Sequence, residues 1–352
     1  MITRRRGNYA RRIAIATQAE RERWELAKKR VRSVLTRHTI ANHRTLEQKI
    51  ADAGPTNQRI NPHALTTAFK MMESTGELLE RKEANGCWLY LNTAPAELIQ
   101  ERFAAQLPLW QLTQQQSLTM RLGQALEIAV YRAMRSAPAS RFLGAYPDLH
   151  DHDDSSLYSK EEPPSSLDGN SLPGKQKLDF VLSHPISGWA GIEVKNKREW
   201  MYPSNSDVRE FLAKCLALEA VPVLIARRIP FVTFRLLSPC GLVIHQTFNQ
   251  RFPTSEGALV SRLREKTLLG YHDIRLGNDP DGRLNKFIGT NLPKILPEAR
   301  SRFDLYRDLL EAYARGNMPY EEFAARVRRR QLGVDEDHDD PDEESDTSDY
   351  DY

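Results

Sequence analysis

The sequence predicts an α/β protein: a mixed central sheet flanked by helices, preceded by a small domain of helices and a hairpin, and followed by further helices. Three observations predict it. Two strand-like segments, 178–183 and 189–195, are separated by a short turn containing Pro185 and Gly188. A helical pattern over 204–219 follows, with Val208, Phe211, Leu212, Cys215 and Leu216 on one side. Next comes an almost wholly apolar strand at 221–227, suited to burial on both faces of a sheet.

The elements before this core are read in order. Residues 10–36 read as a helix, because Trp24, Ala27, Val31, Val34 and Leu35 form one stripe on a charged rod. A short helix follows over 45–51, then a loop with Gly54 and Pro55. Asn61-Pro62 starts the next helix, with Asn as cap and Pro at the first helical position. Leu65, Ala68, Phe69 and Met72 are its core stripe, and Gly76 ends it. Two short strands at 78–83 and 87–91 flank Asn85-Gly86, a strong hairpin turn. This order resembles a winged helix-turn-helix over about 60 residues. The resemblance implies DNA contact through Thr66, Thr67 and Lys70 on the outward helix face, with Arg59 just before it; protein–protein contact is the other use of such a domain.

Residues 96–115 read as a connecting helix and linker, and 117–134 as a helix whose mostly apolar surface is interrupted by Glu127. Residues 147–176 read as a long loop. Within it the run from His150 to Asp154 is expected to be a flexible acidic loop rather than a metal cluster. Segments 231–237 and 242–248 read as further strands, and the chain after 257 as mainly helical. The expected organisation is a basic arm and helix (1–37), the winged-helix-like domain (38–95), an α/β domain with C-terminal helices (96–334) and a disordered acidic tail (335–352).

Composition sets the class. The 352 residues are 40% hydrophobic and 28% charged, ordinary for a globular chain. No apolar run approaches the roughly 18 residues of a membrane span, so no membrane partner is expected. Three scattered cysteines without a CxxC pair support neither a disulfide framework nor a zinc finger. A cytoplasmic or nucleoid-associated location is the expectation. The net charge of +3 hides a segregation: the last eighteen residues hold eleven acids and no Lys or Arg, while the first 37 carry twelve Lys or Arg against three Glu. A basic body with an acidic tail points to a polyanionic partner, or to a solubilising arm and tail.

The chemistry concentrates in 175–197. Asp179 is followed fourteen residues later by Glu193-Val194-Lys195. Glu-x-Lys also occurs at Glu47 and Glu80, but only the third sits on an apolar strand directly after a strand bearing an Asp. A hairpin pairing Asp179 with Glu193 sets Phe180 against Ile192, Leu178 against Val194 and Leu182 against Ala190, one apolar face. Lys177, Asp179, Glu193 and Lys195 then share the opposite, polar face. Two carboxylates so joined can hold a divalent cation, and a neighbouring lysine can orient water or balance a phosphate. An ordinary solvent-facing sheet is the competing reading.

Asp179, Glu193-x-Lys195, the following helix and the apolar strand resemble the PD-(D/E)XK nuclease superfamily, the restriction-endonuclease-like fold, over about 117–250. No Pro precedes Asp179, where Leu178 stands, and the insertion before it is longer than a minimal core needs. The resemblance implies a metal-dependent DNA endonuclease using Mg²⁺, with Mn²⁺ as a substitute. Asp179, Glu193 and the Val194 carbonyl would ligate the metal, and Lys195 would position the attacking water. Glu127 matches the leading-helix acid of the superfamily, its alternative being a salt bridge. Lys197 is a candidate phosphate contact or part of a solvated charge run. DNA is the implied partner, with other proteins of a DNA-processing complex; a homodimer would supply the two sites a double-strand cut requires. A DNA-binding regulator with an inert nuclease-like scaffold is the alternative function, and RNA is the weaker alternative substrate.

Overall fold

The computed structural model describes residues 16–51, 60–83, 86–137, 141–150 and 152–334. Arg59, Asn85, the basic arm before residue 16 and the acidic tail lie outside them. The chain divides into two units: residues up to 114 together with 261–272, and residues 115–260 together with 273 onward.

In the first unit, α1 (Gln18–His38) opens with a capping box. The Thr17 hydroxyl accepts from the Glu20 N–H, and the Glu20 carboxylate accepts from the Thr17 N–H at 2.7 Å. Trp24, Ala27, Val31 and Leu35 form its buried stripe. A three-residue strand, β1 (Ile40–Asn42), precedes α2 (His43–Ala51). At α3 (Pro62–Ser74) the Asn61 side chain accepts from the Ala64 N–H at 2.6 Å, the cap the sequence signalled. Strands β2 (Leu78–Glu83) and β3 (Gly86–Leu91) pair antiparallel, and β1 adds to β3 to give the order β1-β3-β2. Helix α4 (Ala96–Gln114) brings Phe103 and Trp110 edge-on to Trp88. β1 was not expected; three residues are too few for any period to show.

The second unit begins with α5 (Gln116–Ser136) and β4 (Arg141–Leu143). A minor hairpin, β5 (Ser166–Leu167) and β6 (Asn170–Ser171), lies within the long insertion. The core elements are β7 (Phe180–His184), β8 (Gly188–Lys195), α6 (Ser206–Ala217) and β9 (Val221–Ala226). They continue into α7 (Phe231–Leu237) and β10 (Val243–Gln246). The sheet order is β10-β9-β8-β7-β4, antiparallel from β4 to β8 and parallel from β8 to β10. This is a mixed α/β architecture. Strands β11 (Gln250–Phe252) and β12 (Ile274–Leu276) follow and pair parallel; helix α8 (Gly257–Arg264), between them in sequence, runs across the division at 260 and 261. Four α-helices end the described chain, α9 (Gly282–Lys286), α10 (Leu292–Leu305), α11 (Arg307–Ala314) and α12 (Tyr320–Leu332), the first two joined by a π-helical turn, Phe287–Asn291.

Alternation along the strands sorts the core into two layers. Phe180, Leu182, Ala190, Ile192, Val194, Val221, Val223 and Ile225 pack with α5, α9 and α10. Val181, Leu224 and Ala226 pack on the other face with α6, α7, α11 and α12. Strand β9 is buried at every position, as its apolar run requires.

Several expectations are corrected. Segment 231–237 is a helix, not a strand. Its aromatic and β-branched residues suggested a strand, but Val232 and Leu236 fall one helical turn apart and are buried. A connection between the parallel strands β9 and β10 also needs a crossover element. The region after 257 is mainly helical, as expected, with the one short strand β12 within it. Of the 150–154 run Asp151 lies outside the described residues, and 152–154 is pinned rather than flexible. Asp154 is buried, its carboxylate accepts from the backbone N–H groups of Thr254 and Ser255 at 2.6 and 2.9 Å, and His152 stacks on Tyr158.

Candidate active site

The hairpin register is the one the hydrophobic pattern selects: Phe180 opposes Ile192 and Leu182 opposes Ala190. Its continuation brings Asp179 beside the far end of β8, where the Asp179 N–H donates to the Ile192 carbonyl at 3.1 Å. The Asp179 carboxylate then turns along the strand edge, and Oδ2 accepts from the Val194 N–H at 2.7 Å. In an extended strand the N–H and C=O of one residue point to the same edge. The Val194 carbonyl therefore lies on the Asp179 edge of β8.

One feature of the expected faces is corrected. Leu178 does not join Phe180 and Val194; it precedes the strand and packs in the opposite layer, near Cys215. It lies so close to Gly191 that a Cβ there would meet the Leu178 side chain at 2.8 Å and the Cys215 sulfur at 2.9 Å. On the polar face Lys177 is exposed and Asp179 and Lys195 are half-buried, but helix α6 covers Glu193 and leaves it only 6% exposed, against the competing reading of an ordinary solvent-facing sheet.

Glu193 is held on both oxygens. Lys195 Nζ lies 2.8 Å from Oε1, and Lys214 Nζ donates to Oε2 at 2.7 Å. Lys214 comes from α6 and also donates to the Lys177 carbonyl at 2.8 Å. Burial, followed by the nearby Asp179 charge, pushes the Glu193 carboxyl above its ordinary value. Lys195 is lowered by burial, but Glu193 and Asp179 outweigh this and hold its ammonium above the usual lysine value.

Glu127, on α5, reaches the same cluster through Lys160. The Lys160 ammonium donates to Glu127 Oε2 at 2.7 Å and to Asp179 Oδ1 at 3.1 Å. The Tyr146 hydroxyl also donates to Glu127 Oε2, at 2.6 Å. Burial and then Asp179 push the Glu127 carboxyl up, and burial and then Glu127 push up the Tyr146 phenol. The site therefore joins three acids, Glu127, Asp179 and Glu193, to three lysines, Lys160, Lys195 and Lys214.

Asn196 fixes the end of β8 to the helix that carries Glu127. Its buried amide donates to the Leu122 carbonyl at 2.5 Å and to the Arg251 carbonyl at 2.7 Å, and accepts from the Arg251 N–H at 2.9 Å. Lys197 pairs with Asp207 at 2.7 Å, an acid that also lies within electrostatic reach of Lys195 and Lys214. In the first unit, Lys70 and Thr66 are exposed, Thr66 bonding the Pro62 carbonyl at 2.9 Å, while Thr67 is buried.

Sequence reasoning missed Lys160, Tyr146 and Lys214. Lys160 and Tyr146 lie in an irregular segment with no period to read. Lys214 had a usable signal: it falls seven residues after Asp207, two turns along one face of α6.

The donors available to a cation are carboxylate and carbonyl oxygens, the set a hard divalent ion takes. Glu127 and Glu193, raised by burial and then by the Asp179 charge, are also carboxylates that a cation relieves. The set fits Mg²⁺ in chemistry, although among the described residues no three His, Cys, Asp or Glu side chains form a cluster ready to hold a metal ion. No described helix is long and apolar enough to cross a membrane. Comparison with protein-family models, with characterised proteins and with solved structures finds no match.

Proposed function

We propose that this protein is a metal-dependent endonuclease acting on DNA, with a restriction-endonuclease-like α/β domain and a winged-helix-like domain that holds the duplex. The observation that carries the reading is the Val194 N–H bond to Asp179, which joins the Asp179 carboxylate to the strand end bearing Glu193 and Lys195. Those groups sit at the carboxyl end of β8, beside the parallel strand β9, where open α/β sheets commonly bind ligands. Glu127 is drawn to the same place by Lys160.

In this reading Asp179, Glu193, the Val194 carbonyl and Glu127 hold the cation. Bound there, Mg²⁺ supplies Lewis-acid stabilisation of the charge that builds on the scissile phosphate. Lys195 donates to and orients the attacking water. Lys214 holds Glu193 in place from behind, and Asn196 fixes the strand end against α5.

The first unit supports a polyanionic partner. Burial, then Lys49, Arg37 and Arg102, lowers His38 to about 4, and burial, then Arg37 and Lys266, lowers Lys49 to about 8, so cations crowd this part of the unit. A row of phosphates relieves that repulsion and contributes affinity without sequence readout. In this reading Thr66 and Lys70 add contacts from the exposed face of α3.

A second reading has one observation in its favour. Lysines already neutralise each of the three carboxylates, which suits a DNA-binding regulator built on an inert nuclease-like scaffold. Incubation of the purified protein with supercoiled, linear, single-stranded and branched DNA, with Mg²⁺ or with EDTA, separates the two. Mg²⁺-dependent cleavage of any form supports the nuclease; retained binding without cleavage in Mg²⁺ and Mn²⁺ supports the regulator.

A further inference from the structure

Lys160 occupies an unusual place for a loop lysine. Its neighbours in sequence are pinned: Glu161 exchanges two backbone hydrogen bonds with Ala145 at 2.8 and 2.9 Å, and the Ser159 N–H donates to Asp148 at 2.8 Å. Tyr158 exchanges two more with the Gln124 side chain, each 2.9 Å. The backbone is thus fixed against α5, while the flexible four-carbon stem of Lys160 gives its ammonium a reach that the backbone does not limit. Its ammonium ends between Glu127 and Asp179, the two carboxylates that α5 and the start of β7 bring together.

A third acid stands beside it. Glu162 Oε2 is 3.7 Å from Lys160 Nζ, and its side chain is 31% exposed against 14% for Lys160. Rotation of the stem toward solvent can therefore exchange the two inner carboxylates for Glu162 without moving the pinned backbone. Three acids around one ammonium leave Lys160 charged despite its burial.

We propose that Lys160 is a displaceable internal counter-ion: it holds Glu127 and Asp179 together by its own charge and yields those oxygens to a divalent cation. The proposal rests on the metal-site reading above. An ammonium and a divalent ion compete for the same carboxylate oxygens, so the lysine sets how much cation the site requires. It also makes a prediction that a purely structural salt bridge does not: removing the lysine charge weakens the fold and strengthens metal binding at the same site.

The test is a calorimetric Mn²⁺ titration, with thermal melts in EDTA and in Mn²⁺, of wild type, Lys160→Met, Lys160→Arg and Asp179→Asn. Lys160→Met removes the competing charge and should bind Mn²⁺ about tenfold tighter or more, while melting below wild type in EDTA and recovering in Mn²⁺. Lys160→Arg keeps the charge and adds a fork that grips carboxylates bidentately; it should bind Mn²⁺ more weakly than wild type. If Lys160→Met does not fold, the weaker binding of Lys160→Arg still carries the test. Equal Mn²⁺ affinity in wild type and both Lys160 variants, abolished by Asp179→Asn, overturns the counter-ion and leaves the metal site standing. No Mn²⁺ binding by any folded variant overturns the metal site, and the counter-ion with it.

Discussion

Lys195 and Lys214 hold opposite oxygens of the Glu193 carboxylate, one from the strand that carries Glu193 and one from the helix that covers it. With Glu193 only 6% exposed, the carboxylate is the shared partner of two poorly hydrated ammonium groups. Breaking one member of such a network leaves uncompensated charge in a poorly solvated place.

Glu193→Ala should therefore destabilise the second unit by about 3–5 kcal/mol. Lys214→Met in the same background should recover part of that loss, because it removes the ammonium left unpaired. Urea unfolding of the two single variants and the double variant checks this. Strict additivity would mean that Glu193 and Lys214 do not depend on each other.

Asp179 plays a different part. It is less buried, and its loss leaves Lys160 with Glu127 and Glu162 as partners. Asp179→Asn should cost about 1–3 kcal/mol, through the bond to the Val194 N–H and the charge opposite Lys160. Removing its charge should also bring the Glu127 and Glu193 carboxyls back toward their ordinary values. Carboxyl titration by NMR with labelled glutamate reads that shift, and unchanged Glu127 and Glu193 titrations would refute the arrangement.

Gly191 tests the hairpin packing. A Cβ at this position would meet Leu178 and Cys215 under 3 Å. Gly191→Ala should destabilise by about 1–3 kcal/mol through overpacking, and Leu178→Ala in the same chain should relieve part of it. Denaturant midpoints of the pair decide; no coupling would place Leu178 away from β8.

The first unit should respond to pH through His38. In the unfolded chain its imidazole takes a proton near 6.5; in the folded chain burial and then Lys49, Arg37 and Arg102 defer this to about 4. The unfolded state thus binds more protons in that window, and stability falls as pH drops from 6.5 toward 4. Lys49 acts likewise at higher pH: the folded chain releases its proton near 8 rather than 10.5, so its contribution to stability rises with pH between those values. Thermal melts across both windows, compared with His38→Gln and Lys49→Gln, should show flatter profiles in the variants.

Much of this arrangement is legible in sequence. Alternation over 180–195 fixes the β7–β8 register, because slipping by one residue would set the acids opposite the apolar set of Phe180, Ile192 and Val194. The Asn61-Pro62 start and the run Val221–Ala226 are equally local signals. What escaped depends on distant partners. Segment 231–237 has strand-like composition and becomes helical because β9 and β10 run parallel and need a crossover. Leu178 leaves the expected face because the strand begins only at Phe180. Lys160 enters the site on a bridge between Ala145 and Glu161, which no periodicity announces.

The most direct test of the central claim is nicking of supercoiled plasmid in Mg²⁺ by wild type, Asp179→Asn, Glu193→Gln and Lys195→Met, each first shown to be folded and to bind DNA. The account predicts nicking by wild type that EDTA abolishes. It predicts loss of nicking by at least about a hundredfold in each variant, a barrier increase of about 2.7 kcal/mol. Nicking at the wild-type rate by folded Asp179→Asn or Glu193→Gln would contradict it.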